Sequence, residues 1–298
     1  RQHPLLHFAH CLAVAKATFP KREMPNQQHD FDFHFLGLFG LTDPIRSSVP
    51  AAVQECCAAG IRVVMITGDY PSTATRVAEY IGIGTSQGIM TGLELESMSP
   101  DEFSRSRSPA NVYARMMPEQ KLNLVKMLKA QGEIVAMTGD GVNDAPALRE
   151  AHIGIAMGMR GSDVAREAAD LVLLDDNFAS IVRAIRLGRR IFDNLQKAFA
   201  YILSVHIPIA GLSLAPVLFN MPRILFPMHV VFLELLIDPA CSIVFEIERE
   251  EKDVMERAPR NPKTSLIPVR RLWVSVAQGL GIFLLTMATF VWGLGHLN

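Results

Sequence analysis

The chain has 298 residues, a formal net charge of −1 and 49% hydrophobic residues, enough to bury a full core and to build more than one structural unit. The balanced charge excludes a broadly basic nucleic-acid-binding surface, because phosphate neutralisation requires a basic patch. Four cysteines, Cys11, Cys56, Cys57 and Cys241, show neither metal-ligand spacing nor a disulfide framework, which fits a reducing cytosol, and the adjacent Cys56 and Cys57 read as helix-packing thiols in preference to a redox pair.

The opening segment "RQHPLLHFAH" lacks the charged-then-apolar layout of a secretory signal and has no initiator methionine, which suggests a start within a longer protein. "CLAVA" reads as a strand. "HDFDFHF" sets Asp30, Asp32 and His34 on one strand face, where an exposed strand near a linker is preferred to a zinc site.

From there to about Asn194, short apolar runs alternate with helical patterns. "FHFLGLFGL", "IRVVMI", "NVYARM", "EIVAM", "HIGIA" and "DLVLL" read as strands, and "SSVPAAVQECCAAG" and "PEQKLNLVKMLKAQG" as the helices between them. Such alternation predicts an α/β fold of the Rossmann type, a parallel sheet with right-handed crossovers and ligands beyond the carboxyl ends of the strands.

Two loops at such ends are alike. "VVMI" runs into Thr67-Gly68-Asp69 with Pro71 suited to a helix's first turn, and "EIVAM" runs into Thr138-Gly139-Asp140-Gly141. A threonine hydroxyl, closely approaching glycine amides and the next helix N-terminus together form a phosphate cradle. Asp140 and Asp144 add hard oxygen ligands suited to Mg2+, which keeps several waters and pairs with phosphate oxygens. One such triplet is equally well explained by a capped turn; two in one sheet point to phosphate chemistry.

Beyond Asn194 three hydrophobic segments, at about 198–219, 224–245 and 272–295, each reach the roughly 20 residues that cross a bilayer as a helix. The loop before the third carries Arg249, Lys252, Arg257, Arg260, Lys263, Arg270 and Arg271, whereas the turn after the first has Arg223. The positive-inside rule puts the charged loop in the cytoplasm; Arg183, Arg186, Arg189, Arg190 and Lys197 put the N-terminal half there too. Trp273 and Trp292 fit interfacial anchors. Glu234 and Asp238, four apart on one face of the second segment and followed by Pro239, suggest a cation pathway, since ionisable groups at membrane depth are costly. The unbroken helical pattern of "NFASIVRAIRLGRRIFDNLQKAFAYIL" predicts a rigid connector into the first span.

"TGDGVNDAPAL" resembles the signature of P-type ATPases, the ion pumps of the haloacid-dehalogenase-like superfamily that form an aspartyl phosphate. "GLTDPIR" is similar to their hinge motif, "MITGD" to their phosphate-binding loop, "PEQKLNLVKMLK" to the segment bearing their lysine, and "AREAADLVLLDDNFASI" to the approach to their fifth membrane helix.

This resemblance implies roles residue by residue. Asp140, with Asp144 beside it, would coordinate Mg2+, and Asn143 would help hold the phosphoryl oxygens. Thr67 and Gly68 would bind the phosphoryl group, Asp69 would order the loop and Lys121 would neutralise charge. Asp43 and Arg46 would lie at the hinge near ATP, with Thr138 and Gly139 in the same cofactor-binding set. Glu234, Asp238 and His206 fall at ion-ligand positions.

Ile209 stands where calcium pumps have a ligating glutamate, and Ile237 at a threonine-like position, so the resemblance names no ion. It also implies a nucleophilic aspartate in a DKTGT motif, a TGES loop and four earlier helices, none present in these residues. The implied organisation is the end of a nucleotide-binding domain over 1–30, a phosphorylation domain over 31–194 and membrane helices over 195–298. The chain then reads as the C-terminal part of a multi-pass cell-membrane pump, inactive without the upstream part of the same pump, with ATP, a cation and the lipid bilayer as partners. A membrane-tethered phosphohydrolase and a non-catalytic membrane subunit are the alternatives.

Overall fold

A computed structural model describes residues 10–18, 27, 31–41, 44–105, 110–262 and 264–296. Asp30, Asp43 and Lys263 lie outside them. The chain divides into two compact units, one of residues 1–57 and 62–182, the other of residues 58–61 and 183–298.

The first unit opens with β1 (His10–Ala17) and β2 (Phe33–Leu41), then α1 (Val49–Ala58), β3 (Met65–Ile66), α2 (Pro71–Ile81), β4 (Ile89–Thr91), α3 (Gly92–Ser97) and α4 (Pro100–Arg105). It continues with β5 (Val112–Ala114), α5 (Pro118–Ala130), β6 (Ala136–Gly139), α6 (Ala145–Glu150), β7 (Ile153–Met157), α7 (Asp163–Ala168) and β8 (Leu171–Leu173). The parallel α/β class is as expected, but its strands fall into two sheets, ordered β3-β5-β4 and β6-β7-β8, each parallel throughout.

The strand β2 departs from expectation. Instead of joining a parallel sheet, "FHFLGLFGL" pairs antiparallel with β1 from His10↔Leu41 to Ala17↔Phe33, with a register shift at Val14/Ala15. Sequence-adjacent strands pair antiparallel through a simple connection, whereas a parallel pair needs a long crossover. Phe35, Leu38 and Phe39 stay exposed on this ribbon. The strand β4 was not read from sequence; three residues, Ile-Met-Thr, are too few to show a period.

The strand β5 organises the core. Alternate side chains face opposite layers: Tyr113 packs with Phe103, Leu124 and Leu128, while Val112 and Ala114 pack with Val53, Ala74 and Ala78. A third cluster gathers Val125, Met137, Leu148 and Ala156, and Ile66 and Val135 touch both it and the Tyr113 cluster. Full burial of a side chain such as Leu124 or Leu148 stabilises by roughly 1.5–3 kcal/mol. The helix α2 starts on Pro71 and stops at Gly82, whose φ of 84° supplies the left-handed turn that ends it.

The helix α8 (Phe178–Phe219) begins in the first unit and runs on into the second, which also holds α9 (Pro227–Ile247) and α10 (Val269–His296). Among the described residues α8 and α10 are long and apolar enough to cross a membrane, with mean hydropathies of 2.0 and 1.8; α9, which bears Glu234 and Asp238, is not in that set. All three helices run through the expected hydrophobic segments, and Pro208, Pro216 and Pro239 lie inside them.

Small residues bring α8 and α10 together. A Cβ added to Gly279 would stand 2.9 Å from the Ser204 carbonyl, and one on Gly211 would stand 2.6 Å from Phe283. The basic residues of α8 have structural partners. Arg190 donates to the carbonyls of Glu246, Ile247 and Glu248 at the end of α9, the carbonyls that a helix C-terminus leaves without partners. Arg189 donates to Val254 O and Arg257 O, and Lys197 bridges Glu248 and Glu251 at 2.6 and 2.7 Å. Lys197 holds the Glu251 carboxyl below its ordinary range, chiefly through that hydrogen bond.

Candidate active site

The strand β6 ends on Gly139, and its sequel is folded tightly. A Cβ at Gly139 would come within 2.5 Å of Asp144 Cβ, so no other residue lets Asp144 tuck under the strand end. A 3-10 turn, Val142–Asp144, leads into α6. Asp144 is thereby buried, its Oδ2 accepting from Gly141 N–H at 3.3 Å and its Oδ1 from Lys121 Nζ on α5 at 2.7 Å. Asp140 and Asn143 remain exposed, and Asp140 is anchored through its main-chain oxygen, which accepts from Ser162 N–H at 2.8 Å.

A cavity of about 420 Å3 gathers Lys121, Thr138, Gly139, Asp140 and Asp144 on one side and Val63, Val64, Met65 and Ile66 on the other. Its walls include the outer edges of β3 and β6, the end strands of their sheets. Five of the residues singled out from sequence thus meet in one place. Thr67, Gly68 and Asp69 do not line the cavity; they follow directly on β3, whose two residues do. There Thr67 Oγ1 accepts from Asp69 N–H at 3.1 Å, Thr67 N–H donates to Tyr113 O, and Asp69 O accepts from Arg115 N–H, which locks the loop to the end of β5. Gly68 faces open space.

Arg46 lies elsewhere, its guanidinium donating to the main-chain oxygen of Asp176. Sequence reading did not foresee this contact, nor the pairing of Lys121 with Asp144, because each joins segments far apart in the chain.

Among the described residues no group of three or more His, Cys, Asp or Glu side chains forms a metal cage. Two carboxylates at one strand end, one already shared with a lysine, suit a hard ion that retains most of its water and takes further oxygens from a phosphate. The donor set therefore fits Mg2+ at Asp140 with Asp144 in support.

In the second unit His206 Nε2 of α8 stands 3.2 Å from Glu234 Oε2 of α9, and His206 Nδ1 stands 2.8 Å from Ile202 O. A carbonyl only accepts, so Nδ1 is the ring nitrogen that donates to Ile202 O, and Nε2 faces the Glu234 carboxyl. Asp238 lies one turn farther along α9 and is exposed.

A parallel α/β core with two Thr-Gly-Asp strand ends, followed in the chain by long apolar helices, is the arrangement expected of a haloacid-dehalogenase-like protein with membrane helices. Family comparison agrees: residues 16–152 and 121–185 match haloacid dehalogenase-like hydrolases, and residues 222–298 match the C-terminus of cation transporting ATPases. The chain is similar to a calcium-transporting ATPase of Bacillus subtilis (strain 168), 40% identical over 282 residues that cover 94% of this chain and 32% of the relative. It is also similar to the sodium/potassium-transporting ATPase subunit alpha-1 of Oreochromis mossambicus, 41% identical over 287 residues, 87% of this chain and 28% of that one. A solved zinc-transporting PIB-type ATPase in an E2.Pi state aligns over 72% of this chain and 29% of its own at 28% identity, with a TM-score of 0.48. The chain belongs to the P-type ATPases, and it spans about a third of the length of the curated relatives it matches.

Proposed function

We propose that this chain supplies the Mg2+-binding half of the phosphorylation site, and part of the ion path, of an ATP-driven cation pump. The observation that carries the reading is the Lys121–Asp144 pair beside exposed Asp140 at the carboxyl end of β6. Phosphoryl transfer is mainly positioning and charge stabilisation. Here Lys121 supplies a fixed positive charge, Asp144 holds it in place, and Asp140 offers oxygens to a metal. Bound Mg2+ would neutralise charge on the phosphoryl oxygens. Thr67 and Gly68 would take the phosphoryl group through hydroxyl and amide, Asp69 would keep their loop ordered, and Asn143 would add a side-chain amide. Thr138 and Gly139 line the same cavity and would help seat ATP there, whereas Asp43 and Arg46 would act at the hinge, Arg46 away from the cavity lining.

The nucleophilic aspartate belongs to a segment outside these residues. Among the described residues the edges of β3 and β6 that border the cavity have no further strand partner, and an added strand paired to either would satisfy that edge. Such a strand would deliver its carboxylate beside Asp140, where ligands of parallel sheets lie. In the membrane, Glu234, Asp238 and His206 would line the cation path, with three spanning helices and the residues before 195 in the cytoplasm. The domain boundaries at about 30 and 194 belong to the same reading. No particular cation is assigned, since Ile209 and Ile237 remove oxygens from the pattern of the calcium pumps.

The complete protein, given Mg2+ and ATP, should acquire an acid-stable, hydroxylamine-labile phosphate label, and Asp140→Asn should slow its formation by about 100-fold or more. Absence of that label under every cation tested would falsify the reading. A label whose turnover ignores Glu234→Ala and Asp238→Ala would instead indicate a phosphohydrolase without transport.

A further inference from the structure

Among the described residues of the first unit, two carboxylates are buried, Asp144 and Asp176, and the chemistry above leaves Asp176 unused. Asp176 sits two residues before α8, with φ at 48°, a left-handed conformation that costs a residue other than glycine about 1–2 kcal/mol. What holds it there is its carboxylate, which accepts from Met159 N–H at 3.0 Å and Arg160 N–H at 2.9 Å. Burial pushes its carboxyl pKa up, but the N–H groups of Met159, Arg160 and Gly158 outweigh this and keep it below the ordinary aspartate value.

Both sides of this clasp are themselves fixed. The turn over residues 158–161 is tight: Gly158 N–H donates to Leu173 O, Arg166 donates to Gly158 O and Gly161 O, and a Cβ at Gly161 would stand 1.9 Å from Met157 O. The next residue, Ser162, is the one whose N–H holds Asp140 O at 2.8 Å. On the other side Asn177 caps α8, its Oδ1 accepting from Ala179 N–H and from Ser48 Oγ, both at 3.0 Å. Hydrogen bonds and short peptide links thus run without a gap from the backbone of Asp140 through Ser162 and Arg160 to Asp176 and the first turn of α8.

We propose that Asp176 is a positioning residue that couples the Asp140 strand end to the start of α8, so that a divalent cation at Asp140 is felt in the first turn of that helix. The coupling rests on the Mg2+ reading above. Two discrete probes separate the ideas: calorimetric titration with MgCl2 alone, and amide hydrogen exchange of residues 178–182, both on the full chain in detergent micelles. In the wild type Mg2+ should slow exchange in that turn about threefold or more, a local-opening effect.

Asp176→Asn keeps the shape and tolerates the left-handed backbone, and Asp176→Gly adopts that φ without strain, so at least one should fold. Both variants should bind Mg2+ within about twofold of wild type yet lose the slowing at α8. A merely structural role would not separate binding from response in this way. Slowing that persists in the variants, or wild-type Mg2+ binding with no response at α8, overturns the coupling while leaving the metal site intact. Absence of any Mg2+ binding removes the metal reading, and the coupling with it.

Discussion

At the end of β6, Asp144 meets a lysine, whereas between α8 and α9 Glu234 meets a histidine whose other ring nitrogen is committed to Ile202 O. The first pair is set by backbone: a glycine that excludes a Cβ, a 3-10 turn and the N-terminal turns of α5 place both groups before any ligand arrives. The second is set by side chains reaching between two helices. A site for phosphoryl transfer benefits from a charge that is constant and preorganised. Side chains that meet across two helices are less fixed in place.

Replacing the exposed carboxylate tests the first half of this comparison most severely. Asp140→Asn in the complete protein should lower the rate of phosphoenzyme formation by about 100-fold or more, measured by rapid-quench labelling. Next in size, Lys121→Met leaves Asp144 buried without its cation. Because the pair retains some exposure, a loss of about 2 kcal/mol in unfolding free energy is expected, less than for a fully buried pair, and is read from denaturant titration of the chain in micelles.

In the helices the effect should be smaller and ion-dependent. Glu234→Gln should weaken the apparent affinity of the activating cation about 10-fold, seen in an ion screen of ATPase activity with little change in the unfolding midpoint. An equal effect with every cation would break the distinction between a preset site at β6 and a responsive one between the helices.

The smallest effect is on pH dependence. The folded pKa of Asp176 lies below its ordinary value of 3.8, so its stabilising contribution is complete above the unfolded pKa and is lost as pH falls through the folded one. Asp176→Asn should therefore flatten the fall in melting temperature below about pH 4 and leave the neutral region parallel to wild type.

Much of this molecule was legible in the residues. The two Thr-Gly-Asp loops, the alternation of short apolar runs with helical patterns and the long hydrophobic segments are local signals, each contained within a few turns or one strand. The ribbon of β1 and β2 was misassigned because a run of apolar residues announces a strand but says nothing about its partner or direction. The three residues of β4 were too short to register. The arginines of α8 could be counted for topology, yet their service to the end of α9 and to the following loop depends on residues more than fifty positions away.

By itself the sequence determined the chemistry on offer: which strand ends carry hydroxyls, glycines and carboxylates, and which stretches are too apolar for water, because those properties belong to single residues and their near neighbours. Tertiary structure alone decided which of these groups share a charge, with Lys121 drawn to Asp144, His206 to Glu234 and Asp176 to the turn before Ser162. Such partners are chosen by packing, since a buried carboxylate must find a donor wherever the fold brings one within reach.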